Sequence, residues 1–121
     1  MRWIYLSPHF DDAALSCGGM IWEQTHRGES VEIWTLCAGY PPRGEPLTEF
    51  AAGKHAEWGV DERTVVSVRR AEDRLACARL GAALRWWSLP DCIYRRLPNG
   101  EAVITYNDAL WLPLHPGEQG R

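Results

Sequence analysis

One short segment near the N-terminus holds an imidazole and two adjacent carboxylates: Ser7-Pro8-His9-Phe10-Asp11-Asp12. One imidazole nitrogen and one carboxylate oxygen supply half of the ligand set of a hydrolytic zinc site. We expect His9 and Asp12 to reach the same ion if the loop turns tightly, with Asp11 pointing past it as a base toward water. The alternative is that both carboxylates only cap the next helix and that His9 is a loop residue, because short motifs often match by chance.

The segment lies where a strand is predicted to end and a helix to begin. The apolar run Trp3–Leu6 predicts a buried strand, and a helix is predicted from Ala13 to Arg27, with Gly28 as its stop. In open α/β sheets, ligands bind outside the carboxyl ends of the strands. The position therefore favours a functional site.

The following segments continue the alternation of strands and helices. A second strand over Val31–Cys37 completes a β-α-β unit, which predicts a parallel pair with a right-handed crossover. Helices are predicted over 48–58 and 61–80, a third strand over 84–89, and a hairpin around Asn99-Gly100. An apolar stripe predicts the buried face of the longer helix: Val68, Ala71, Leu75, Ala78 and Ala82.

Further polar residues are weighed against ordinary structural roles. Asp91 follows the third predicted strand and either faces the same cleft or is a simple turn residue. Arg69 and Glu72 are spaced i, i+3 on a helix, which taken alone indicates a surface ion pair. No motif surrounds the other histidines, which are predicted to be solvated rather than catalytic: His26, His55 and His115.

Composition limits the class of protein. The 121 residues predict one domain, and the net charge of −3 gives no electrostatic case for a nucleic-acid partner. We expect no membrane span, because no apolar run approaches the roughly 20 residues that a bilayer requires. The four cysteines lie far apart and no secretion signal is recognised, so we expect reduced thiols and a cytoplasmic protein.

Three blocks, in order, resemble the PIG-L / LmbE-like N-acetylglucosaminyl de-N-acetylase family. The first is Leu6–Asp12 followed by Leu15-Ser16-Cys17-Gly18-Gly19, and the second is Arg69-Arg70-Ala71-Glu72-Asp73 with Ala76 and Leu80-Gly81. The third is Leu89-Pro90-Asp91-Cys92-Ile93-Tyr94-Arg95, and the resemblance spans about residues 2 to 114. Three blocks in order are far more specific than one His-x-Asp-Asp.

The resemblance implies a fold, a reaction and a set of site residues. The fold is Rossmann-like, a three-layer α/β/α arrangement with a mainly parallel sheet, and the reaction removes acetyl groups from N-acetylglucosaminyl substrates, commonly with Zn²⁺. By the same resemblance, His9 and Asp12 are zinc ligands and Asp11 is the general base on the activated water. Arg69 and Asp91 are candidates for contact with a small amino-sugar substrate.

The chain departs from the family pattern downstream. The family's third zinc ligand is a histidine in a His-x-x-His segment, whereas Trp111-Leu112-Pro113-Leu114 is followed by His115 and no second histidine. We therefore expect a single domain over residues 1–121 that lacks its C-terminal portion, with weak or no activity by itself. His115, another chain or no residue at all supplies the third ligand.

Two other functions are weighed. A non-catalytic remnant with the same fold would leave a sheet edge and apolar surface uncovered, which favours a homo-oligomer or another self-associating module. A nucleotide-binding domain is disfavoured, because no Gly-x-Gly-x-x-Gly follows the first strand and two carboxylates there would repel a phosphate.

Overall fold

The computed structural model describes residues 1–106 and alternates strands with helices, as the sequence predicts. The elements are β1 (Arg2–Ser7), α1 (Asp12–His26), β2 (Ser30–Thr35), α2 (Glu49–Trp58), α3 (Glu62–Leu80), β3 (Ala83–Trp86) and a 3-10 turn (Cys92–Tyr94). Trp111–Leu114 and His115 lie outside the described residues. In the part of the chain that is described, no helix is both long and apolar enough to cross a membrane.

The three strands form a parallel sheet in the order β1-β2-β3. Ser7, the last residue of β1, pairs with Thr35 of β2, and Thr35 pairs in turn with Trp86 of β3. All three strands therefore end at one edge of the sheet, where ligands bind in folds of this class. The predicted α/β class with a parallel sheet is confirmed.

Helices α1 and α3 pack on the same face of the sheet. Their buried residues Ala13, Ile21 and Cys77 form one core with Val31 and Ile33 of β2. Two right-handed crossovers in the same direction require this arrangement. Within residues 1–106, helices thus cover one face of the sheet, and the helices and the sheet together account for two of the three predicted layers.

The other face of β1 is open in the described part of the chain. Ile4 is 43% exposed and Leu6 is 64% exposed, although the apolar run predicts a buried strand. The alternation of a strand explains the difference, because Ile4 and Leu6 point away from the helices while Tyr5 packs toward them. The prediction of burial on both faces is wrong for residues 1–106.

Helix α3 presents a different face to the sheet from the one predicted. Val68 and Leu75 of the predicted stripe are 48% and 55% exposed, whereas Val66, Asp73 and Cys77 are buried. Asp73 is tolerated inside because its Oδ2 accepts a hydrogen bond from the indole Nε1 of Trp86 at 2.7 Å. The apolar stripe in the sequence places Asp73 on the outward face of the helix. The predicted buried face of α3 is therefore wrong.

The segment after β3 is also less regular than predicted. Residues 92–94 form the 3-10 turn, and Arg96 and Ala102 make an isolated antiparallel bridge around Asn99-Gly100. The turn at Asn99-Gly100 is confirmed, with Gly100 at φ +88°, but the two predicted hairpin strands are reduced to that bridge.

Candidate active site at the carboxyl edge of the sheet

Ser7 builds the turn that carries the predicted site. Its buried hydroxyl donates to the carbonyl oxygen of His9 at 2.7 Å and accepts from the backbone N–H of Ala13 at 3.1 Å. Asp12 closes the same turn, since its Oδ2 accepts from the backbone N–H of His9 at 2.9 Å. The hydroxyl at the end of β1 therefore fixes the path of the backbone between the strand and α1.

Asp11 occupies the N-cap position of α1 without capping it. Its backbone has φ +73°, and its side chain makes no capping hydrogen bond to the helix. The left-handed conformation is one that Asp tolerates better than most residues, at a cost of order 1–3 kcal/mol. The alternative in which this carboxylate caps the helix does not hold for Asp11, and the carboxylate instead turns toward α3.

Arg69 meets that carboxylate. Its Nη2 donates to Asp11 Oδ2 at 2.5 Å, and its Nη1 donates to Glu72 Oε2 at 3.0 Å. Although burial lowers the pKa of Arg69, the hydrogen bond and charge of Asp11 outweigh burial and raise that pKa above its ordinary value. The predicted ion pair with Glu72 is confirmed, but Arg69 also ties α3 to the turn after β1.

His9 lies between two carboxylates, one at each ring nitrogen. Its Nδ1 is 3.6 Å from Asp12 Oδ2, and its Nε2 is 3.4 Å from Asp91 Oδ2. The ring is about half exposed. The structure thus brings together His9, Asp12 and Asp91, which the sequence placed at the ends of different strands, and Asp91 faces the cleft rather than only turning the chain.

Gly39 allows the segment that carries Asp91 to approach β2. A Cβ at position 39 would stand 2.1 Å from the carbonyl oxygen of Ser88, and the backbone N–H of Gly39 donates to Leu89 O at 2.8 Å. Asp91 then accepts from the backbone N–H of Ile93 at 3.1 Å through Oδ1, while Oδ2 faces His9. A side chain at position 39 would push this segment away from the imidazole.

Two cysteines lie beside the carboxylates. Cys92 Sγ donates to Asp91 Oδ1 at 3.4 Å, and burial, reinforced by the charge of Asp91, raises the pKa of this thiol to about 12. Burial, followed by the charge of Asp91, also raises the pKa of Cys37. Cys37 is only partly buried and lines the cavity beside the site. All four cysteines are free thiols, as predicted.

A cavity of about 460 Å³ opens next to these groups. Its walls combine polar and apolar side chains, including His9, Phe10, Trp58, Arg69, Asp91 and Tyr94. A mixed wall with a few convergent polar groups is typical of small-molecule sites. The predicted substrate-contact residues, Arg69 and Asp91, both line it.

His55 corrects a sequence prediction. It was predicted to be solvated, yet it is buried, with Nδ1 3.1 Å from Val60 O and Nε2 2.8 Å from the hydroxyl of Tyr94. Because a carbonyl only accepts, Nδ1 carries the hydrogen in the neutral ring and Nε2 accepts from Tyr94. His55 therefore supports a wall of the cavity, whereas His26 is exposed, as predicted.

The donor set around His9 suits a divalent transition metal. Nitrogen and oxygen ligand atoms on a tetrahedral zinc ion lie about 3.3–3.6 Å apart, given bond lengths of about 2.0–2.2 Å. Both separations at the imidazole fall in or close to that range. Within residues 1–106, one group of three possible ligands has all its donor atoms within 4.8 Å of one another: His9, Asp91 and Cys92.

Comparison with known proteins agrees with this geometry. Residues 4–111 match the family described as PIG-L: GlcNAc-PI de-N-acetylase. The chain belongs to the PIG-L family. A 2'-N-acetylparomamine deacetylase of Niallia circulans is 32% identical over 120 residues, which are 91% of this chain and 44% of that protein.

Solved structures of PIG-L-type deacetylases share the fold. A deacetylase–teicoplanin complex is 35% identical, with a TM-score of 0.76 over 85% of this chain and 40% of that one. The zinc-inhibited form of the teicoplanin deacetylase Orf2 is 33% identical, with a TM-score of 0.78 over 89% of this chain and 40% of that one. The chain thus spans about two fifths of the length of these relatives.

Proposed function

We propose that this protein is a divalent-metal-dependent de-N-acetylase that hydrolyses the acetamide of an N-acetylglucosaminyl or related amino-sugar conjugate. The observation that carries the proposal is the arrangement of three side chains on one turn. His9 and Asp12 are 3.6 Å apart, while the neighbouring Asp11 is held aside by Arg69. The proposed ligands and the proposed base are thereby separated on one turn, beside the cavity that His9 lines.

His9 and Asp12 would hold the metal, for which we propose Zn²⁺. A divalent ion there polarises the amide carbonyl and acidifies water. Within residues 1–106, this position has two ligands, His9 Nδ1 and Asp12 Oδ2, whereas a catalytic zinc ion normally takes three ligands from its protein. We therefore expect slow turnover from this chain. The related deacetylase Orf2 has been solved in a zinc-inhibited form, which supports comparing several divalent ions on this protein.

Asp11 is proposed as the general base. Arg69 occupies Asp11 Oδ2, which leaves Oδ1 to take the proton from water and to return it to the departing amine. The same contact fixes the direction of the carboxylate, so the base is positioned before substrate enters. Arg69 and Asp91, at the cavity wall, are proposed to orient the sugar through its hydroxyl and amide groups.

The names of the relatives support the substrate class. One acts on 2'-N-acetylparomamine, and another was solved with teicoplanin. A shallow cavity of about 460 Å³ suits one amino-sugar ring with the rest of a conjugate extending outward. We accordingly propose a small-molecule conjugate as substrate, without nucleic acid or membrane.

The test is acetate release from N-acetylglucosaminyl conjugates by metal-free protein loaded in turn with Zn²⁺, Co²⁺ and Mn²⁺. We expect slow, metal-dependent release that Asp11→Asn lowers by about 10²-fold or more. Glu72→Gln is the matched control, because it removes a nearby carboxylate that also contacts Arg69. Release that needs no metal, or that survives Asp11→Asn, would contradict the proposal, as would the absence of release with every ion.

One observation favours a second function, a self-associating module with the same fold. The side of β1 that bears Ile4 and Leu6 is exposed and apolar within residues 1–106. A second copy covering that face would give a homodimer. Light scattering after size exclusion tests it: a monomer at all concentrations would argue against it, and Leu6→Glu is expected to dissociate a dimer.

The domain organisation is also proposed. Residues 1–121 are proposed to belong to one domain of the PIG-L type, to which the match over residues 4–111 gives support. A cytoplasmic location remains a prediction from the sequence.

A further inference from the structure

The two nitrogens of His9 face different sets of ligands. Nδ1 faces Asp12, and Nε2 faces Asp91. A neutral imidazole has one nitrogen with a free lone pair, and the other nitrogen carries a hydrogen. A single ion can therefore be bound through one side of the ring only, and the choice fixes what the other side does.

The Nε2 side has a softer ligand set than the Nδ1 side. Asp91 Oδ2 is 3.4 Å from Nε2, and Cys92 Sγ lies within 4.8 Å of the donor atoms of both residues. Thiolate sulfur favours zinc-like and cadmium-like ions over Mg²⁺ or Ca²⁺. Asp91 and Cys92 are adjacent in the chain and begin the 3-10 turn, where the hydrogen bond from Ile93 N to Asp91 Oδ1 holds them.

We propose that His9 Nε2, Asp91 and Cys92 form a second position for a soft divalent cation, and that this position excludes a metal from the Nδ1–Asp12 side. On binding, the Cys92 thiol releases its proton to solvent, the sulfur becomes a ligand and no redox change occurs. With Nε2 bound to the ion, Nδ1 carries the hydrogen and donates toward Asp12.

The consequence is a metal-dependent off state. That part of the inference rests on the proposed function, because it requires the working ion to sit between Nδ1 and Asp12. An ion bound at Nε2 leaves the Nδ1–Asp12 position without its imidazole ligand. It also binds Asp91, which lines the substrate cavity. Excess soft metal would then inhibit, while a hard cation at the same concentration would not.

The existence of the second position is tested without any activity measurement. Cd²⁺ is titrated into metal-free protein, and the ultraviolet thiolate-to-metal charge-transfer band is recorded. We expect the band to saturate at one ion per chain, and to be lost in Cys92→Ser but kept in Cys37→Ser. Cys37 is the matched control, because it lines the same cavity and feels the same Asp91 charge. Circular dichroism confirms that each variant is folded.

Two carboxylate variants separate the two sides of the ring. Asp91→Asn is expected to weaken Cd²⁺ binding on the order of tenfold or more, whereas Asp12→Asn keeps the band and costs less affinity, because Asp12 contacts only the opposite ring nitrogen and is not a ligand of this position. No band in the unaltered protein, a band that survives Cys92→Ser, or equal losses in both carboxylate variants would overturn the second position. If the band behaves as expected and acetate release is absent, the proposed function fails and the second position stands.

Discussion

Arg69 Nη2 lies 2.5 Å from Asp11 Oδ2, a contact that joins the middle of α3 to the turn after β1. The two residues are 58 positions apart in sequence. Because Asp11 has φ +73° and no capping bond, this contact is what gives its carboxylate a direction. The position of the proposed base therefore depends on how α3 packs against the sheet.

Replacing the guanidinium should separate stability from catalysis. In Arg69→Met, the free energy of unfolding should change by less than about 1 kcal/mol, because the two side chains are 39% and 47% exposed and such pairs contribute little. Acetate release should fall by roughly tenfold or more, since Asp11 loses its orientation. Glu72→Gln should leave the rate nearly unchanged, and equal losses in both variants would argue that Arg69 has no special role.

Gly39 should tolerate no side chain. A Cβ there would meet the Ser88 carbonyl oxygen at 2.1 Å, so Gly39→Ala should lower the free energy of unfolding by about 1–3 kcal/mol. Gly53→Ala, in α2, is the control: nothing lies within 4 Å of its added Cβ, and the change should stabilise by about 0.4–1 kcal/mol. Urea unfolding of the two variants would contradict the packing argument if their effects had the same sign.

Ser7 should matter more than its size indicates. Ser7→Ala leaves the buried N–H of Ala13 without its acceptor, so we expect a loss of about 1–3 kcal/mol in the free energy of unfolding. It should also weaken metal binding at His9, because the hydroxyl holds the carbonyl of that residue. Ser16→Ala, on the exposed side of α1, should change neither quantity, and a zinc affinity unaltered by Ser7→Ala would argue against the role of the turn.

Acid should weaken the start of α3. The backbone N–H of Thr64, and then its hydroxyl, hold the pKa of Asp61 below its ordinary value of 3.8. The unfolded chain binds a proton at higher pH than the folded one, so this contribution to stability is complete above about pH 4 and is lost as the pH falls through the folded-state pKa. Asp61→Asn keeps a capping side chain without a charge and should lose less stability on acidification. Urea unfolding at several pH values tests this, and a loss of stability on acidification in Asp61→Asn equal to that of the unaltered protein would contradict it.

The sequence predicted what local spacing and strand order determine. His9 and Asp12 are three residues apart on one turn, and Asp91 joins them because parallel strands end at the same edge. The predicted bounds of the helices and strands lie within a few residues of the observed bounds. Residues that can cap a helix, such as Thr48 and Asp61, mark where the helices start.

What the sequence missed depends on tertiary contacts. Asp73 is buried because the indole of Trp86 satisfies it, and that changes the buried face of α3. His55 is buried because Tyr94 and Val60 O complete its hydrogen bonds across the chain. Gly39 lies where two backbone segments approach closely, and hydrophobic periodicity does not mark that position.

The most direct test of the central claim is a zinc titration of metal-free protein by calorimetry, with His9→Ala, Asp12→Ala and His26→Ala. His26 is the control, because it is exposed and stacks on Trp22 away from the sheet edge. We predict that His9→Ala abolishes binding and that Asp12→Ala removes the ion on which acetate release depends, while His26→Ala binds as the unaltered protein does. Zinc binding that is indifferent to His9→Ala would contradict the account.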